Sequence, residues 1–237
     1  LSPTRRALLA ALCCCLAAAC GGARGQEDGV RHFERGRELR RAGELAGARC
    51  EFERAVEIIP DSDNAHYLLG LTLDELGEHR EAARALARAV ELNPSRAVAR
   101  HGYGNALGHL GDHAGGLREQ TEAVRLEPDN PAFVIALGAA QEETGDKASA
   151  RASFERAAGL DPEPRVKATA LMRLGYLLAA QGEYAKASEA LRRGLELDPT
   201  DEYARRRLKE VEETRAAGGA GSGTGPPPQP TPPGKNF

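Results

Sequence analysis

The sequence predicts an all-α solenoid of five helix–turn–helix units closed by a C-terminal capping helix. Three observations predict it. Pro60, Pro94, Pro128, Pro162 and Pro199 stand 34, 34, 34 and 37 residues apart. Two glycine ladders keep the same phase: Gly36, Gly70, Gly104, Gly138 and Gly175, then Gly43, Gly77, Gly111, Gly145 and Gly182. Between these marks the apolar residues recur three or four apart, the period of a helix with one buried face. A repeat of about 34 residues sets the architecture before any local signal does. Stacked repeats offer an extended surface rather than an enclosed pocket.

The repeats run over 29–62, 63–96, 97–130, 131–167 and 168–200. In the second, His66, Leu69, Leu73 and Leu76 mark the buried face of a first helix around Gly70. Gly77 ends that helix, because glycine accepts the left-handed conformation past a last turn. Ala82, Leu86, Ala89 and Val90 mark a second helix, and Pro94 stops it for want of an N–H donor. Glycine at repeat position 8 and alanine at position 20 let the two antiparallel helices approach. Phe52, Leu86, Phe154 and Leu191 at position 24 fill the space left between them. Ala55, Ala89, Ala123 and Ala157 at position 27 let the following repeat dock.

Two repeats depart from the pattern. The third carries Gly102, Gly104 and Gly108 in its first helix, Gly115-Gly116 at the start of its second, and Gln120 at position 24. Each interior glycine costs roughly 1 kcal/mol against alanine, so this repeat is expected to be the softest. The fifth has a linker three residues longer, and Pro164 is placed to open a first helix about a turn longer than the others. Residues 201–215 read as the polar capping helix a solenoid needs, with Tyr203 and Leu208 facing inward. Residues 216–237 hold six Gly and six Pro and cannot bury a core; polyproline character is expected near 226–233.

The pattern resembles the tetratricopeptide repeat family. It carries Leu69-Gly70, Leu137-Gly138 and Leu174-Gly175, and the small–large–small series Ala48, Phe52, Ala55 and Ala150, Phe154, Ala157. The family's early Trp is replaced by His32, His66, Arg100, Val134 and Leu171. The resemblance implies a right-handed solenoid whose first helices line a concave groove through repeat positions 2, 5, 9 and 12. The first repeat would offer Val30, Phe33, Arg37 and Arg40, and the second Asn64, Tyr67, Leu71 and Asp74. The third would offer Val98, His101, Asn105 and Gly108. Ala132, Ile135, Ala139 and Glu142 follow in the fourth, and Thr169, Met172, Tyr176 and Ala179 in the fifth. Aromatics and Met beside polar groups suit an extended peptide or a partner helix. The family's carboxylate clamp is not expected, since only Asn105 matches it and the groove has no Lys.

Residues 1–19 read as a signal peptide. Arg5-Arg6 precede an uncharged run of 13 residues, Ala7 to Ala19, too short to span a bilayer. Ala17-Ala18-Ala19-Cys20 resembles a bacterial lipoprotein box, which would make Cys20 the lipidated N-terminus; the same alanines satisfy an ordinary cleavage site. Residues 20–28 would form a short tether. Gly21 after the cysteine favours an outer-membrane address, with a periplasmic or secreted soluble protein as the alternative.

Loss of Arg5 and Arg6 moves the net charge from −3 to −5, and no basic stripe with interleaved aromatics speaks for nucleic acid. No zinc helix motif, phosphate loop or nucleophile elbow occurs, so neither catalytic residues, metal nor cofactor is expected. His79 and His113 share repeat position 17 with Tyr184 and read as packing residues. Cys50 reads as an inert small residue. Arg54/Glu57, Arg88/Glu91 and Arg193/Glu196 read as three-apart surface pairs. The expectation is a non-enzymatic adaptor of the bacterial cell envelope, bound to protein or peptide partners. It looks similar to the repeat lipoproteins that help assemble outer-membrane machines such as pilus secretins. The alternative role is an accessory targeting subunit of a separately encoded enzyme.

Overall fold

The computed structural model describes residues 25–160 and 163–218. The leader 1–19, Cys20, Pro162 and the tail beyond 218 lie outside the described residues. Eleven helices and no strand occur among the described residues. They are α1 (25–41), α2 (Leu45–Ile58), α3 (Asp63–Glu75), α4 (His79–Leu92), α5 (Ala97–His109) and α6 (His113–Leu126). After them come α7 (Pro131–Glu143), α8 (Lys147–Gly159), α9 (Pro164–Ala180), α10 (Tyr184–Leu197) and α11 (Glu202–Ala216). This is the α-solenoid organisation, helix pair after helix pair. α1 already includes 25–28, which the sequence pattern assigned to the tether. Gln26, Glu27 and Asp28 are polar and acidic first-turn residues that favour a helix start, and Asp28 pairs with Arg31 at 2.8 Å.

Both glycine ladders have the physical causes their spacing suggests. The second ladder sits at positive φ, from 78° at Gly182 to 87° at Gly145. At Gly77 the N–H donates to the Asp74 carbonyl at 3.0 Å, and the Glu78 N–H donates to that of Leu73 at 2.9 Å. That is the Schellman closure of a helix, which a Cβ at Gly77 would strain. The first ladder answers to packing. A Cβ at Gly70 would lie 2.5 Å from Leu86 Cγ, and one at Gly138 2.7 Å from a Phe154 ring carbon. The position-24 side chain thus occupies the space the glycine vacates.

The chain divides into two compact halves, one ending at Ala106 and one beginning at Leu107, so the division falls within the third repeat. In the N-terminal half, Phe52 and Leu86 are fully buried in a core with Ala48, Leu69, Leu73 and Ala82. Phe33, Tyr67, Leu71 and Tyr103 pack half-buried against that core. Gly102 is not idle here: a Cβ would lie 3.1 Å from Leu86 and 3.4 Å from Leu71, so the bare backbone of α5 permits a close approach.

In the C-terminal half, Val134, Phe154, Leu177 and Leu191 are the large fully buried side chains. α9 runs for 17 residues from Pro164, against 13 for α7. Asp112, Asn130, Asp146 and Asp201 cap α6, α7, α8 and α11 by accepting from backbone N–H groups. Gln120 is buried at 2% exposure, a polar residue where the other repeats place Phe or Leu.

Of the three expected surface pairs, Arg88–Glu91 forms at 3.1 Å, while among the described residues no ion pair joins Arg54 to Glu57 or Arg193 to Glu196. A more informative recurrence joins neighbouring repeats. Arg49 meets Glu78 at 2.7 Å, and Arg151 meets Glu183 at 2.9 Å, each from repeat position 21 to position 16 of the next repeat. These pairs tie one helix pair to the next, a gain that a three-apart pair on a single exposed helix cannot supply. The hydrogen bond that Arg49 donates to Glu78 raises its guanidinium above the ordinary value. The Lys186 hydrogen bond, with Arg151 adding its charge, holds the Glu183 carboxyl low.

Candidate functional site

The first helices of the N-terminal half carry a band of arginines and aromatic rings. Phe33 on α1 lies 6.0 Å from Phe52, ring centre to ring centre, and the Arg37 guanidinium sits 5.7 Å from the Phe33 centroid. Arg37 also forks onto Glu34, with both contacts at 2.9 Å. Arg40 pairs with Glu75 on α3, leaving its Nε buried without an acceptor. Tyr67 is capped by Arg96, whose guanidinium stands 4.5 Å from the ring centroid. Arg96 also holds Asp63 at 2.8 Å and Asn64 at 2.6 Å. Burial pushes the Tyr67 phenol above its ordinary range, against the pull of Arg96 and Arg40. Burial raises the Asp63 carboxyl too, but hydrogen bonds from Arg96 and Asn93 outweigh it and hold the group low.

The structure therefore brings Asn64 and Tyr67 together under Arg96, a residue that sequence reasoning missed because it precedes the repeat register by one position. Leu71 lies half-buried on the core. Asp74 and His79 share a hydrogen bond at 2.8 Å, and Asn105 lies 3.3 Å from His101 one turn earlier on α5.

In the C-terminal half the expected lining needs correction. Met172 is 4% exposed and Ile135 8% exposed, so neither faces a partner. Met172 packs against Gly194. Position 27 is alanine in the other repeats and glycine here, and Met172 Cγ lies 2.8 Å from where a Gly194 Cβ would stand. The side chain has dropped into the space the missing methyl leaves. Ile135 is likewise enclosed with its neighbours Phe133 and Val134 in the apolar first half of α7.

What stays accessible in the C-terminal half is polar and aromatic. Tyr176 on α9 meets Tyr203 on α11 edge to face, with centroids 5.2 Å apart and an interplanar angle of 77°. Both rings are half-buried, and the Tyr176 phenol is raised by burial first, then by Asp201 and Tyr203. Glu142 on α7 is half-buried and its carboxylate makes no hydrogen bond or ion pair among the described residues; burial raises it. Arg173 acts electrostatically on both Glu142 and Tyr176, which puts it beside the two. Arg173 escaped sequence reasoning because position 6 is not a lining position in the repeat register.

The position-17 histidines are polar partners rather than packing rings. His79 bonds Asp74, and exposed His113 bonds Glu143 at 3.0 Å. Both stand just past a turn, beside a carboxylate at the end of a first helix. Cys50 is exposed and free. No helix among the described residues is long and apolar enough to cross a membrane.

Tetratricopeptide repeat profiles match residues 33–97, 67–131 and 104–163, and a further one matches residues 168–201. No curated protein matches the sequence. Among solved structures, the chain is similar to YrrB, described as a tetratricopeptide repeat protein with an unusual peptide-binding site. Identity is 21%, coverage is 77% of this chain and 93% of that one, and the TM-score is 0.63. MamA from Desulfovibrio magneticus RS-1 matches at 18% identity over 74% of this chain and 97% of that one, with a TM-score of 0.66. PilF from Pseudomonas aeruginosa matches at 20% identity over 83% and 88%, also with a TM-score of 0.66. Likeness at these identities speaks for the fold, and the repeat profiles run over most of the sequence: the chain belongs to the tetratricopeptide repeat family.

Proposed function

We propose that this chain is a non-catalytic scaffold that holds a protein or peptide partner against its first-helix faces. The observation that carries this reading is Tyr176 with Glu142: a half-buried ring and a desolvated carboxylate that the protein itself leaves without a hydrogen bond. Buried polar groups ordinarily find a partner. One left open at a surface is satisfied by whatever docks there. Tyr67 under Arg96 offers a second aromatic–cation patch in the N-terminal half, suited to the apolar and polar groups of an extended chain. The peptide-binding site described for YrrB, a protein of the same fold, supports the same reading. A photoreactive residue at Tyr176, and separately at Tyr67, tests it in cells. Capture of a discrete protein partner is expected. Clean expression with no captured protein at either position would refute the scaffold reading.

We assign this scaffold to the bacterial cell envelope, tethered by lipid on Cys20, from the small residues before that cysteine and the leader-like run ahead of them. Mass spectrometry of the mature N-terminus tests the tether: diacylglyceryl mass on Cys20 is expected. An unmodified start at that cysteine would instead make the scaffold soluble in the periplasm or outside the cell. Co-purification of one enzyme rather than several envelope components would favour the accessory-subunit role.

A further inference from the structure

The charged groups that act on Tyr176 and Glu142 are Asp201, Arg207, Glu143, Lys147 and Arg173. Most of them are already satisfied. Asp201 caps α11 by accepting from the Ala204 N–H at 2.9 Å. Arg207 pairs with Glu210 at 2.8 Å, and Glu143 with His113 at 3.0 Å. Lys147 is exposed at the start of α8. That leaves Glu142 on α7 and Arg173 on α9, both half-buried. Among the described residues neither makes a hydrogen bond or an ion pair, with the other or with any third group. Nor are they sealed in. The buried polar side-chain atoms without a partner among the described residues are the Nε atoms of Arg40, Arg49 and Arg96. The Glu142 oxygens and the Arg173 guanidinium nitrogens therefore open to the surface.

An acceptor and a donor thus stand near one another without pairing. Charge complementarity decides what fits between them. A cation would satisfy Glu142 and repel Arg173, and a carboxylate would do the reverse. A neutral group with one donor and one acceptor satisfies both and brings no further charge into a half-buried place. Glu142 and Arg173 stand on helices that pack against each other, so the occupant must turn its donor and its acceptor to the same side. The N–H and C=O of a trans peptide bond point opposite ways. A primary carboxamide carries its NH2 donors and its carbonyl oxygen on one end. Behind that polar head, the methylenes of the same side chain meet Tyr176, whose ring lies edge to face with Tyr203.

We propose that Glu142, Arg173 and Tyr176 form a subsite for the side-chain carboxamide of a partner's Gln or Asn. The carboxamide N–H donates to Glu142, its oxygen accepts from Arg173, and its stem lies against Tyr176. The inference rests on the partner-binding reading of this face and names the side chain that the face selects. A site that hydrogen-bonds both ends of a group rejects analogues that leave one of its own polar groups unpaired. The subsite therefore serves specificity, by refusing Glu and Lys as well as by accepting Gln.

The probes are short alanine–glycine peptides with Gln, Glu, Lys or Ala at the centre. Acetyl and N-methylamide groups close their ends, so that the central Gln supplies the sole primary carboxamide. They are titrated at millimolar concentration into the full-length chain. The NMR signals of the Arg173 Nε–H and the Tyr176 ring report binding, with Tyr67 as internal control and far-UV circular dichroism as the check on folding. The Gln peptide is expected to bind about fivefold or more tighter than the other three, the ratio that follows from one buried polar group left unpaired. Arg173→Glu is expected to put the Lys peptide first, and Glu142→Arg the Glu peptide. The two substitutions together are expected to put Gln first again. If a charge reversal unfolds the chain, the near-isosteric Glu142→Gln keeps the test open: it is expected to remove the discrimination against the Glu peptide. Equal binding of the Gln, Glu and Lys peptides, no saturable shift with any of them, or variants that keep the wild-type order would overturn the proposal. An Ala peptide that binds as tightly as Gln would overturn it too, because the site would then read the main chain. Photocrosslinking separates this subsite from the scaffold reading. A partner captured at Tyr176 while the peptides bind alike sinks the subsite alone; ordered peptide binding with no partner captured at Tyr176 or Tyr67 sinks the scaffold reading alone.

Discussion

Gly70→Ala isolates the contact that sets the helix-pair geometry. The added Cβ would lie 2.5 Å from Leu86 Cγ, 3.0 Å from its Cδ2 and 3.2 Å from the Ala82 carbonyl oxygen. Carbon–carbon contacts are comfortable near 3.5–4.0 Å, so about 1 Å of overlap must be relieved. Leu86 is fully buried, and the carbonyl belongs to the α4 backbone, so neither has open space to move into. Overpacking of this kind costs about 1–3 kcal/mol, against about 1 kcal/mol returned by alanine's better helix propensity. The net expectation is a loss of up to about 2 kcal/mol. Leu86→Ala alone opens a cavity and costs about 2–5 kcal/mol. In the double variant the methyl introduced by Gly70→Ala enters the vacated space, so the two losses do not add and the interaction energy is favourable by at least about 1 kcal/mol. Urea unfolding followed by far-UV circular dichroism measures all four proteins. A Gly70→Ala chain more stable than wild type with Leu86 in place, or strict additivity in the double variant, would refute the close-approach account of the whole glycine ladder.

Glu142→Gln is expected to raise the unfolding midpoint at pH 7, because burial lifts this carboxyl and the folded state bears the cost of its charge. A group whose folded value is raised loses that cost as pH falls, so the advantage of glutamine should vanish below about pH 4; an advantage unchanged at pH 3 contradicts the burial argument. Asp63 has the opposite sign: its folded value is depressed by Arg96 and Asn93, so it stabilises above about pH 4 and fades as pH drops through the folded value. Arg96→Ala should cost about 1–3 kcal/mol at pH 7 and flatten that acid limb, as a urea series across pH would show. Hydrogen exchange is expected to find α5 and α6 the least protected interior helices, given their glycines and the buried Gln120; protection equal to that of α3 and α7 would exclude a soft third repeat.

The helix pairs were legible in the sequence because each mark has a local cause. Gly77 must take positive φ, Pro164 suits a first turn, and Gly70 must yield to Leu86 whatever the neighbouring repeats do. The candidate site was legible only in part. Tyr67 and Tyr176 lie where the register places them, half-buried and reachable. Their companions Arg96 and Arg173 were missed because a long guanidinium is placed by what it can reach, not by its helical phase. The histidines at position 17 were misjudged for a related reason. A ring beside a carboxylate at a helix end gains more from the hydrogen bond than from burial, as Asp74–His79 and Glu143–His113 show.

Met172 shows how core packing redraws the binding face. Position 5 carries Phe33, Tyr67 and His101 in the first three repeats, all at least partly accessible. In the fifth repeat, Met172 packs into the space beside Gly194 and is 4% exposed, while Ile135, at the same position of the fourth repeat, is 8% exposed with Ala157 in place. The apolar reach that the register assigned to Met172 is thereby withdrawn from the surface. What stays accessible there is Tyr176, Tyr203 and Glu142, two rings and a carboxylate rather than a long aliphatic side chain. Restoring the methyl with Gly194→Ala should push against Met172, whose Cγ stands 2.8 Å from the new atom and whose far end is flexible enough to swing outward. The same substitution would then return an apolar side chain to the exposed face of the C-terminal half, and faster oxidation of Met172 to its sulfoxide would report it.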